Sequence, residues 1–111
     1  MMVRIYHNPR CSKSRQTLAL IEEKGITPDV ITYLDTPPTP QELAGILDML
    51  GMKPEDILRK KEAKEEGIAD LHGEELIEAL CAHPRAIERP IVVNGNKAAL
   101  GRPPENVLEI L

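Results

Sequence analysis

The chain has 111 residues, of which 41% are hydrophobic, so its length and composition predict one domain, residues 1–111, with a modest core. Only Tyr6 and Tyr33 are aromatic and the formal net charge is −4, which argues against a general nucleic-acid-binding protein, since such proteins need positive charge for phosphates and rings for bases. The longest apolar stretches are a few residues and the N-terminus, Met1 to Arg4, lacks the apolar region of a secretory signal, so we expect a cytoplasmic protein that does not bind a membrane.

The first third of the chain predicts a strand, a helix and a second strand. The side chains of residues 2–6 alternate in polarity and the segment runs into a turn, which favours a strand. Residues 12–24 place apolar side chains at helical spacing, and Gly25 suits the left-handed end of a helix. Residues 30–34 are rich in β-branched side chains. Two strands joined through a helix are expected to be parallel.

The middle of the chain is predicted to be helical. Thr39, Pro40 and Glu42 form the pattern of a capping box with proline at the first helical position, so a helix should run from there to Leu50. Residues 53–55 should begin another helix that carries Ile57 and Leu58 into the charged run 59–66, and residues 73–82 a further one.

The last third returns to strands. Residues 90–93 predict a strand, Asn94-Gly95 a two-residue hairpin turn, and residues 97–100 an antiparallel partner, before a final helix that begins near Pro103. The order βαβ, helical segment, ββα predicts an α/β fold: a thioredoxin/glutaredoxin-like domain with a helical insertion between the βαβ unit and the C-terminal ββα unit.

Cys11 is the residue whose position points to chemistry. It lies where the first strand ends and the first helix begins, and there unpaired backbone N–H groups and the helix dipole favour a negative charge such as a thiolate. Basic side chains surround it in the sequence, namely His7, Arg10, Lys13 and Arg15. These groups favour a reactive thiolate and an oxyanion substrate. The alternative is a buried structural cysteine beside surface charges.

The residues around Cys11 restrict the type of chemistry. Ser14 stands where a CxxC redox pair would place its second cysteine, so a disulfide within the motif is impossible and turnover would need an external thiol such as glutathione. Thr17 replaces the arginine of the phosphatase-type Cys-x₅-Arg loop, which argues against that class. Cys81 is interpreted as a core residue, and His72 and His83 lack ligand-spaced partners, so no metal site is expected.

The segment from His7 to Arg15 resembles the active-site signature of the glutaredoxin-linked arsenate reductase (ArsC) family. Further segments resemble that family in the same order, and they cover essentially the whole chain: residues 33–39, 58–60, 88–93, 101–103 and 107–110. The chain ends at Leu111, where long members of the family continue, so the resemblance is to a short form.

The resemblance implies a role for each matching residue. Cys11 corresponds to the nucleophile and His7 to a residue that helps to lower its pKa. Arg59, Arg89 and Arg102 correspond to the arginines that hold the oxyanion, and guanidinium groups suit that task because they stay charged and bind oxygens in pairs. Pro90 is expected to follow a cis peptide bond, with Ser14 and Arg15 as supporting residues.

The activity that the resemblance implies is reduction of arsenate to arsenite through an adduct on Cys11. It implies glutathione as co-substrate, glutaredoxin as partner and no tightly bound cofactor. Two alternatives remain: a thioredoxin-like thiol reductase for another substrate, and a redox-sensing regulator that binds RNA polymerase. Such regulators commonly carry a CxxC pair, so Ser14 argues against the second.

Overall fold

A computed structural model describes residues 2–111, which fall into two compact units. The first unit comprises the N-terminal residues up to Thr36 together with Arg89–Leu111, and the second is the continuous segment Pro37–Glu88. The second unit is the predicted helical insertion. The prediction of a single domain stays a prediction.

The first unit is built on a four-stranded sheet in the order β2-β1-β3-β4. Its strands are β1 (Val3–Tyr6), β2 (Asp29–Ile31), β3 (Ile91–Asn94) and β4 (Lys97–Leu100). Strand β1 is parallel to β2, with Ile5 opposite Val30, and antiparallel to β3, with Ile5 opposite Val92. β3 and β4 form the antiparallel hairpin that the sequence predicts. The α/β fold class and its thioredoxin-like element order are therefore confirmed.

Helix α1 (Ser12–Glu23) and a C-terminal 3₁₀ helix (Pro104–Ile110) complete the first unit. The core takes alternate residues of β1, because successive side chains of a strand point to opposite faces. The buried members of this core are Val3, Ile5, Ile21, Val92 and Val107. Gly25 follows α1 with a φ of +77°, as expected for a left-handed helix end.

The second unit contains α2 (Pro40–Leu50), a 3₁₀ helix (Pro54–Ile57), α3 (Lys60–Glu65), α4 (Gly73–Ala82) and a 3₁₀ turn (Pro84–Ala86). The predicted capping box is present: the Glu42 N–H donates to Thr39 Oγ1 over 3.1 Å, and the Thr39 N–H donates to Glu42 Oε1 over 3.0 Å. No helix among residues 2–111 is long and apolar enough to cross a bilayer.

Three element boundaries were predicted wrongly. β2 ends at Ile31 instead of residue 34, because the N–H groups of Asp35 and Thr36 turn back to the Thr32 carbonyl. The predicted helix through Leu58 is broken there, since Leu58 is extended and pairs with Ile87. The other error is in the hairpin turn, which contains Gly95 and Asn96, while Asn94 still belongs to β3.

Candidate active site

Cys11 is the N-terminal cap residue of α1. Its backbone is extended, with φ −91° and ψ 123°, and its N–H donates to the Asn8 carbonyl over 3.0 Å. Its own carbonyl accepts the Arg15 N–H, also over 3.0 Å. The side chain is partly exposed. The loop between β1 and α1 therefore places the thiol over the first turn of α1, where backbone N–H groups have no partner within the helix.

The surroundings of Cys11 favour its thiolate. Burial acts to raise the pKa of the thiol, but hydrogen bonds from the Ser14 N–H, the Arg89 side chain and the Lys13 N–H, together with the Arg89 charge, outweigh it and lower the pKa. Hydrogen bonds and positive charge favour the ionised form because they stabilise its negative charge. The arrangement can therefore supply a nucleophilic sulfur.

Ser14 connects the loop before Cys11 to helix α1. Its hydroxyl is fully buried, accepts the Asn8 N–H over 3.0 Å and lies 2.6 Å from Nδ1 of His7. Because the hydroxyl oxygen accepts from Asn8, its own proton is available for His7 Nδ1. Burial, together with the positive charge of Arg15, lowers the pKa of His7, which favours the neutral imidazole. Ser14 thus holds His7 and the loop in place while its own N–H supports the thiolate.

Arg15 lies one helical turn beyond Cys11. Its Nη1 donates to the Pro9 carbonyl over 2.9 Å, which ties the exposed side of α1 to the loop. The Arg10 N–H donates to Asn8 Oδ1 over 3.0 Å. The four loop residues from His7 to Arg10 are therefore fixed by both side-chain and backbone contacts.

Arg89 and Arg102 are joined next to β3. Nη1 of Arg102 donates to the Arg89 carbonyl over 3.1 Å, and the Gly101 N–H donates to the Pro90 carbonyl over 2.9 Å. The Arg89–Pro90 peptide bond is cis, as expected, and Arg102–Pro103 is also cis. The structure thus links two of the three predicted oxyanion arginines, and one of them is hydrogen-bonded to Cys11.

Gly101 belongs to a segment that resembles the family, but its packing role is visible only in the structure. A Cβ atom there would lie 2.6 Å from Thr17 Oγ1 and 2.8 Å from Pro90 Cγ, so no larger residue fits without movement. Thr17 is itself fully buried. The close approach lets β4, α1 and the Arg89–Pro90 segment pack together around the site. A single glycine after a strand carries no signal that would have revealed this.

Arg59 lies in the second unit, where it pairs with two carboxylates. Nε donates to Glu62 Oε2 over 2.9 Å and Nη1 donates to Glu88 Oε1 over 2.7 Å. Burial acts to lower the pKa of Arg59, and the two carboxylates outweigh it and raise the pKa. The spacing of Glu62 from Arg59 on α3 could have been noticed in the sequence, whereas Glu88, which is 29 residues away, could not.

The remaining candidates are Cys81, as a second reactive thiol, and a metal site. Cys81 lies in α4, and burial together with the Glu42 charge raises the pKa of its thiol, which favours the unreactive protonated form. Among residues 2–111, no three His, Cys, Asp or Glu side chains are grouped so that they could hold a metal ion.

Comparisons with known proteins identify the family of the chain. Residues 6–110 match the model of the ArsC family. The chain is 48% identical to the arsenate reductase of Haemophilus influenzae over the full length of both, and 44% identical to that of Escherichia coli K12, of which it spans 80%. It superposes on the arsenate reductase of Vibrio cholerae with a TM-score of 0.91 at 49% identity, covering 100% of this chain and 98% of the other. The chain is therefore a member of the ArsC family.

Proposed function

We propose that the chain is an oxidoreductase that reduces arsenate to arsenite, with Cys11 as the nucleophile. The observation that carries this proposal is the Cys11 thiol at the start of α1, hydrogen-bonded by the Arg89 side chain and two backbone N–H groups. A low thiol pKa gives a nucleophile at neutral pH, and the same donors can stabilise an oxyanion that forms on the sulfur.

In the first step the Cys11 sulfur attacks the arsenic atom of arsenate. One oxygen leaves as water after it gains protons, and arsenic stays in the +5 state in the resulting sulfur-bound adduct. Arg89 and Arg102 offset the negative charge of the arsenate oxygens, because guanidinium groups donate paired hydrogen bonds to such oxygens. Arg59 is assigned as a third oxyanion ligand on the family resemblance alone.

The electrons come from two further thiols. Ser14 leaves the motif without a second cysteine, so we assign glutathione as the co-substrate that adds to the adduct and glutaredoxin as the partner that resolves it. Overall, arsenate and two thiols give arsenite, one disulfide and one water, with arsenic gaining the two electrons that the thiols lose. The reaction needs reduced thiols, which the cytoplasm maintains, and no tightly bound cofactor.

The test is arsenate-dependent oxidation of NADPH in an assay coupled through glutathione, glutaredoxin and glutathione reductase. We expect turnover for the wild type, a rate equal to the blank for Cys11→Ser, and unchanged turnover for the matched control Cys81→Ser. Turnover by folded Cys11→Ser would refute the mechanism. A folded wild type that is inactive with several glutaredoxins would refute arsenate as the substrate and favour a thiol reductase of another specificity.

Arg89 is expected to act on both substrate binding and the thiol. Replacement of Arg89 by Gln removes a charge-assisted hydrogen bond, so kcat/KM for arsenate should fall roughly ten- to a hundredfold. Steady-state kinetics on Arg89→Gln measure this, with Arg85→Gln, an exposed arginine of the second unit, as the control. Equal kinetics for the two variants would contradict the role of Arg89.

A further inference from the structure

A groove of about 350 Å³ lies beside the loop that carries Cys11. Two segments line it, the one that follows β1 and the one that follows β2: His7, Asn8, Pro9 and Arg10, then Thr32, Leu34 and Asp35. β1 and β2 are parallel, so both segments leave the sheet at the carboxyl ends of their strands. Ligands of open α/β sheets bind at such ends, and the volume falls in the range of roughly 300–1,000 Å³ that is typical of small-molecule sites.

The groove presents charges of both signs. Arg10 and Asp35 are exposed, and within residues 2–111 the side chain of neither makes a hydrogen bond or ion pair. Leu34, which is 38% exposed, and Pro9 supply apolar surface, and Thr32 supplies a hydroxyl. A ligand that complements these two charges carries both an ammonium group and a carboxylate.

The groove wall continues in the chain into the residue proposed as the nucleophile. Cys11 follows Arg10 in the chain, and its N–H is bonded to the carbonyl of Asn8, a residue of the groove wall. Cys11 itself does not line the groove, so a thiol bound there has to extend beyond Arg10 for its sulfur to reach Cys11. Such a ligand is what the motif requires, since Ser14 cannot resolve an adduct and the pKa of Cys81 is raised.

We propose that this groove binds the reducing co-substrate, a small zwitterionic peptide thiol such as glutathione, with Asp35 facing its ammonium group and Arg10 facing a carboxylate. The inference rests on the proposed function, which supplies the adduct on Cys11. In the step that it serves, the sulfur of the bound thiol forms a bond to the adduct's arsenic. One arsenic–oxygen bond breaks, and that oxygen leaves as water with the thiol proton, so that arsenic remains in the +5 state.

The test is titration of the ¹⁵N-labelled wild-type protein with S-methylglutathione, a thioether that cannot react with Cys11. The largest amide shift changes should occur in residues 7–10 and 32–35. Asp35→Asn and Arg10→Gln should each weaken binding about two- to fivefold, the range expected for exposed ion pairs. The matched controls Asp29→Asn and Lys24→Gln make the same charge changes elsewhere in the first unit and should bind as the wild type does.

The ligand itself can be varied to test the proposed pairing of its ammonium group with Asp35. Acetylation of the ammonium group of S-methylglutathione should weaken binding to the wild type and have little further effect on Asp35→Asn. Shift changes confined to other residues, or equal losses in Asp35→Asn and Asp29→Asn, would overturn the proposal.

The titration contains no arsenate, so its result is independent of the proposed activity. In the coupled assay, Asp35→Asn should raise KM for glutathione while KM for arsenate stays constant. Arsenate turnover without shift changes in the groove would reject the groove and leave the function standing. Shift changes in the groove without arsenate turnover would reject the arsenate reaction and retain the thiol site.

Discussion

At the scale of single residues, the Cys11 thiolate is favoured by two backbone N–H groups and one guanidinium. The donors are the N–H groups of Ser14 and Lys13 and the Arg89 side chain. The neutral form of His7 is favoured, so the imidazole acts through its contact with Ser14 rather than through a full charge. The reactivity of Cys11 should consequently follow its own ionisation.

The two cysteines allow this to be tested within one molecule. The pKa of Cys11 is lowered and that of Cys81 is raised, so alkylation of Cys11 by iodoacetamide should reach half of its maximum rate at a lower pH than that of Cys81. Arg89→Gln should move the Cys11 midpoint upward. Peptide mass spectrometry after timed labelling gives both rates. Coincident midpoints for the two cysteines would contradict the assigned environment of Cys11.

His7 should make stability depend on pH. Its pKa is lowered in the folded protein from an ordinary value of 6.5, so folding favours the neutral ring. The stabilisation is present above that ordinary value and is lost as the pH falls through it toward the folded-state pKa, because the unfolded chain then binds the proton more readily. Urea unfolding at pH 7.5 and 5.5 should show a larger loss for the wild type than for His7→Asn, whose side chain does not titrate. Equal losses would exclude this role of His7.

At the scale of elements, the packing of β4 against α1 depends on Gly101. Gly101→Ala brings Cβ against Thr17 and Pro90, and overpacking of this kind costs about 1–3 kcal/mol. The control Gly45→Ala lies inside α2 with nothing within 4 Å of its Cβ, and should stabilise by up to about 1 kcal/mol. Urea denaturation measures both changes. Equal stability of Gly101→Ala and the wild type would show that the contact relaxes freely.

Elements set by local chemistry were predictable from the sequence. The capping box at Thr39 defines the start of α2, and Gly51, with a φ of +66°, defines its end. The break at Leu58 was not predictable, because its cause is pairing with Ile87, far along the chain. The hairpin turn differs by one residue from the expected Asn94-Gly95, and Asn94 instead donates its side-chain amide to the Ile110 carbonyl over 2.6 Å.

The candidate site likewise contains features that follow from neighbouring residues in the sequence and contacts that only the fold shows. The position of Cys11 at the start of α1 followed from a strand, a turn and a helix that are adjacent in sequence. The contact of Arg89 with Cys11, the link from Arg102 to Arg89 and the pairing of Arg59 with Glu88 join residues that are distant in sequence. Residue types alone could nominate these arginines through the family resemblance, but only the fold gives their partners.

At the scale of the whole molecule, the central strands of the first unit's sheet should resist local opening more than strand β2 does. β1 and β3 are each paired on both sides, and Ile5 and Val92 are fully buried. β2 is paired on one side only, and Asp29 and Val30 in it are exposed. Amide hydrogen exchange should therefore be slowest in β1 and β3 and faster in β2. Protection of β2 equal to that of β1 would contradict this order.

The discontinuity of the first unit has a consequence for the growing chain on the ribosome. Cys11 is among the first residues made, whereas β3, which pairs with β1, and Arg89, which precedes it, come only after the whole second unit has been synthesised. A nascent chain therefore carries a cysteine that lacks one of its main stabilising partners. The environment that lowers the pKa of Cys11 is therefore complete only after Arg89 has been synthesised and β3 can pair with β1.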